Sequence, residues 1–113
     1  MMIVWEKVFP ILAEAIPGFG PSQEEWEDCL CYPFISDMVR FVNDRTYLGT
    51  AESEHLARLL ENLLTKGDGN VHDLAVDAIE TVWGSENGRS IAEHFGQESK
   101  KIWDEIGRRG WCQ

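Results

Sequence analysis

The chain has 113 residues, with 20 Asp+Glu against 10 Lys+Arg, a formal net charge of −10 and a pI of about 4.6. At 43% hydrophobic it can build a core, so its acidity is not that of a disordered tail, and its length suits one helical domain over 1–113 rather than two. The charge argues against direct binding to nucleic acid or to an anionic membrane, both of which need a basic surface. It favours a protein partner with a basic surface. Met1 to Lys7 lacks a basic stretch followed by a long apolar run, so no secretory signal is expected. No run approaches the roughly 18 apolar residues of a membrane span. The three cysteines, Cys29, Cys31 and Cys112, make a poor disulfide framework. These features point to the cytoplasm.

In chain order, Val4, Val8, Ile11, Leu12 and Ala15 recur at helical spacing and predict a first helix over 3–16. Pro10 should kink or divide it. Pro17 to Pro21 stops it, and Ser22-Gln23-Glu24-Glu25 reads as a capping box opening a short helix over about 23–30. Pro33 fits the first turn of a third helix, about 33–46, with Phe34, Met38, Phe41 and Val42 apolar. Thr50 is a candidate N-cap for a fourth over about 51–65, where Leu56, Leu59, Leu60, Leu63 and Leu64 form a stripe that Gly67 ends. Asn70 is the candidate cap of a fifth over about 71–83, which Gly84 ends. Beyond it, Ser90–Phe95 and Glu98–Ile106 look helical, with Gly96 either between two helices or inside one. No segment alternates with period two. The expectation is an all-α fold of six to seven short helices, as a compact bundle or a HEAT-like array.

The fourth and fifth predicted helices are joined only by Lys66-Gly67-Asp68-Gly69-Asn70, which forces them antiparallel and adjacent. Leu74-Ala75-Val76-Asp77-Ala78-Ile79 follows, and the hairpin resembles one HEAT-type repeat over about 30 residues; no second copy at a period near 40 is visible. Two further stretches are Trp5-Glu6-Lys7-Val8-Phe9-Pro10-Ile11-Leu12 and Leu63-Leu64-Thr65-Lys66-Gly67-Asp68-Gly69-Asn70-Val71. They resemble a family of small acidic bacterial proteins that begin W-E-x-x-F-P-x-L and carry an L-L-x-x-G-D-x-x-V hairpin. The resemblance implies an immunity protein, or an orphan partner of a secreted toxin, and implies no catalytic motif. Where that family ends, this chain adds a charged helix and the Trp111-Cys112 tail.

Catalytic and metal chemistry find little footing. Cys29-x-Cys31 has the wrong spacing for a zinc knuckle, and His55, His72 and His94 share no helix face, so no metal site is expected. The acids before Cys29 disfavour a thiolate. There is no Gly-x-Ser-x-Gly elbow and no phosphate-binding glycine loop. The chain reads as a non-enzyme without cofactors.

The acids themselves form the candidate partner-binding residues. Asp73, Asp77 and Glu80 fall at i, i+4, i+7 on the fifth predicted helix, which carries no Lys or Arg. Like charges at that spacing cost a few tenths of a kcal/mol per pair, which a binding role would justify. On the fourth helix Glu54, Arg58 and Glu61 share the spacing, and there the central base offers internal pairing. The second cluster is Glu24, Glu25, Trp26, Glu27 and Asp28, an aromatic among acids, as a hot spot for a basic partner would be. Residues 1–65 hold 11 acids and 4 bases, residues 66–113 hold 9 and 6, which places the candidate face before about residue 85. The expectation is a cytosolic immunity protein that neutralises a cognate bacterial toxin through a basic surface. The alternative is an acidic phage-type inhibitor, an anti-CRISPR or DNA mimic, acting on a nucleic-acid-binding machine. A homodimer is a third arrangement.

Overall fold

The computed structural model describes residues 2–19, 30–46 and 51–108. Six helices follow one another there: α1 (Val8–Ala15), α2 (Cys31–Arg45), α3 (Ala51–Lys66), α4 (Gly69–Trp83), α5 (Gly88–Ala92) and α6 (Gln97–Arg108). A single 3-10 turn, Trp5–Lys7, precedes α1. The fold is all-α. The predicted helix over 23–30 and its Ser22 box, and the Thr50 cap, lie outside the described residues.

Leucine and valine stripes at helical spacing decide which faces turn inward. Leu56, Leu60 and Leu63 of α3 meet Val71, Leu74, Ala78 and Ile79 of α4, all fully buried. Ala75 and Ala78 keep α4 slim enough for close neighbours, and α4 packs on α2, α3, α5 and α6. With α4 touching four helices, the described helices pack as a compact all-α bundle.

The first predicted helix divides, but not at Pro10. The break is at Lys7, which ends the 3-10 turn and whose backbone (φ −117°, ψ 5°) is not α-helical. Pro10 is the third residue of α1, where a backbone N–H has no intrahelical acceptor, so its missing donor costs nothing there. Ile3 is not helical either. It forms an isolated parallel β-bridge with Gly67, its N–H donating to the Lys66 carbonyl at 2.6 Å and its carbonyl accepting from the Asp68 N–H at 2.9 Å.

Asp68, rather than Asn70, caps α4. One carboxylate oxygen accepts from the Val71 N–H and the other from the Trp5 N–H, each at 2.9 Å. These two bonds hold the Asp68 carboxyl below the ordinary aspartate range. The two stretches that carry the family resemblance therefore clasp each other. Gly67 is glycine for space, since a Cβ there would run into the Leu63 carbonyl and the Val71 side chain. Asp68→Ala should free the strap: amide exchange at Trp5 and Ile3 accelerates by an order of magnitude or more, while exchange in the core of α3 changes little. Equal acceleration in both would show instead that the clasp supports the whole fold.

The last third resolves into two helices. Gly96 lies between them and faces Glu61 of α3, whose Cδ would be 2.5 Å from an added Cβ. The Glu61 carboxylate does not remain with Arg58 as the sequence spacing suggested. It accepts from the N–H groups of Ser99 (3.0 Å) and Glu98 (3.1 Å) and from the Ser99 hydroxyl (2.9 Å). Thus α3 supplies the N-terminal cap that α6 lacks in its own sequence. Asn87-Gly88, which is no hairpin turn, anchors α5: the Asn87 N–H donates to Asn43 Oδ1 at 2.7 Å, and the Asn87 amide donates to the Asn43 carbonyl at 2.9 Å.

Candidate binding surface

Helix α4 turns Val71, Leu74, Ala75, Ala78, Ile79 and Val82 inward. At 3.6 residues per turn, residues 73, 77 and 80 then fall on the outer side. Asp73 is exposed, and Asp77 and Glu80 are half-exposed. No described Lys or Arg forms an ion pair with any of the three. The acidic stripe read from the sequence is therefore present, and no ion pair among the described residues neutralises it.

The structure splits that stripe. Asp73 and Asp77 lie toward α2, where Tyr32 in the first turn is 41% exposed. Partial burial raises the Tyr32 hydroxyl pKa, and the Asp73 and Asp77 carboxylates raise it further. The Trp5 ring lies 6.0 Å from the Tyr32 ring, tilted by 41°. Sequence spacing had no means of finding this aromatic pair, because it joins the N-terminal strap to the start of α2. The Asp68 bond and the Ile3 bridge hold Trp5 there. Glu80 turns the other way, into a groove between α4 and α6.

The second predicted cluster, Glu24, Glu25, Trp26, Glu27 and Asp28, lies outside the described residues, as do Cys29, Cys112 and Trp111. Trp83 and Trp103 are half-buried against the core and stack edge to face at 4.7 Å, with Phe95 5.7 Å from Trp103. Burial pushes the Cys31 thiol up, so this cysteine favours the neutral form for a reason other than the acids before Cys29. Among the described residues no three His, Cys, Asp or Glu side chains gather as a metal site. No described helix is long and apolar enough to cross a membrane.

Comparison with known proteins finds no matching family model, no matching curated sequence and no matching solved structure.

Proposed function

We propose that the chain is a cytosolic binding protein, an immunity protein that neutralises a cognate bacterial toxin by covering a basic surface on it. One observation carries the reading: Asp73 and Asp77 have no ion-pair partner among the described residues, on the helix that packs against α2 with its exposed Tyr32. Uncompensated carboxylates steer a cationic partner and fix its register. A tyrosine gives a large contact with few rotatable bonds, which is why it anchors interfaces. The net charge of −10 adds the long-range attraction. The resemblance carried by the Trp5–Leu12 and Leu63–Val71 stretches supplies the toxin as the partner.

The test is capture of the product of the adjacent reading frame. Asp73→Lys with Asp77→Lys should weaken that capture at least about tenfold, chiefly through association rate, with a shallower salt dependence. Equal affinity in the double variant would remove this face. Competition of the wild-type complex by duplex DNA would mark the partner as a nucleic-acid-binding machine, and the chain as its DNA-mimicking inhibitor.

A further inference from the structure

The groove between α4 and α6 has a volume of about 280 Å³. Leu64 and Ile106 form its buried floor, and Val76 and Ile102 its half-covered walls. Val76 is the notable residue. It is an apolar side chain left half-exposed on the polar side of α4, one turn from Glu80. Residues 72, 76 and 80 run along one side of the groove, so it extends about 12 Å, or two helical turns.

Its charge is uneven. On the α6 side Lys101 is paired with Glu98 at 3.1 Å, and Glu105 also lines the groove, so that side holds one carboxylate more than its cation balances. On the α4 side Glu80 has no ion-pair partner among the described residues. An apolar floor beside an unmatched carboxylate is complementary to a helix carrying an aliphatic anchor and, one turn away, a Lys or Arg.

We propose that this groove receives a short amphipathic, cationic helical segment of the partner, with an aliphatic side chain between Val76 and Ile102 and a cation against Glu80. This rests on the reading of the chain as a binder of basic proteins, and it names the segment recognised.

The probe is a synthetic helical peptide of about 14 residues with leucine at i, i+3, i+4, i+7 and lysine elsewhere. Its control replaces every lysine with glutamate. Titrated into the methyl-labelled full chain, the lysine peptide should shift the Val76 and Ile102 methyl resonances saturably, and the glutamate peptide should not. Val76→Lys should weaken binding about tenfold or more. Glu80→Gln, at the rim and away from the core, should weaken it about two- to fivefold, and keeps the test valid should Val76→Lys perturb the fold. No groove shifts at millimolar peptide, or equal shifts with the glutamate peptide, would overturn the proposal. Backbone amide shifts confined to Asp73, Asp77 and Tyr32, read on a 15N-labelled sample of the full chain, would also overturn it, while leaving the basic-partner reading in place. Groove binding combined with failure to capture the adjacent gene product would sustain the groove and remove the toxin.

Discussion

Replacing Gly88 with alanine is expected to destabilise the protein by about 3 kcal/mol. Gly88 is the buried first residue of α5, and an added Cβ would meet the Val82 carbonyl, its carbon at 3.0 Å. That obstacle is backbone, and Val82 is itself fully buried in α4. Neither side can yield cheaply, because the two Asn43–Asn87 hydrogen bonds hold the turn before α5 against α2. Urea denaturation should show a lower midpoint with an unchanged slope. Gly69→Ala is the matched control: an added Cβ there meets nothing within 4 Å, at the first residue of α4. It should leave stability unchanged or raise it by about 0.5 kcal/mol. A Gly88→Ala loss no larger than that of Gly69→Ala would show that the α4–α5 turn relaxes freely.

The Glu61→Gln variant should lose about 2 kcal/mol at neutral pH. Glutamine presents one oxygen and one NH2 to a site that offers three donors and needs only acceptors. The loss should depend on pH in a defined sense. Burial by itself would raise the Glu61 carboxyl, but the Ser99 and Glu98 N–H groups, the Ser99 hydroxyl and the Lys101 ammonium together hold it below the ordinary glutamate range. The folded protein therefore binds this proton less readily than the unfolded chain. Its contribution is complete above the ordinary glutamate pKa and fades as pH falls through the lower folded value. Wild type and variant should converge in thermal stability at acid pH and diverge toward neutrality. A constant gap between them would mean that the carboxylate acts through shape alone.

Helix positions were largely legible because burial enforces periodicity. The α3 leucines and the α4 alanine-rich face could go inward only one way. The acidic stripe was legible for the complementary reason, as whatever was left facing out. What sequence spacing concealed are the contacts between residues distant in the chain. Glu61 has a base three residues away, yet it satisfies donors 37 and 38 residues on. Local pairing of exposed charges is worth a fraction of a kcal/mol, whereas orphaned donors at a helix start weigh more. Asp68 displaced Asn70 as the cap for a related reason: it serves the strap and the helix with its two oxygens at once. Tyr32 has no periodicity to mark it, and its place near the outer side of α4 follows only from how α2 packs on α4.

The clasp between the strap and the α3–α4 turn joins residues 63 apart in sequence. During synthesis Trp5 precedes Asp68 and finds no acceptor until Asp68 has followed it. The strap thus settles only once a long loop has closed, and such closure belongs to the slow part of folding. Until then, one of the two aromatic rings at the proposed binding face is out of place. A nascent chain would complete the proposed binding face only after Asp68 had been translated.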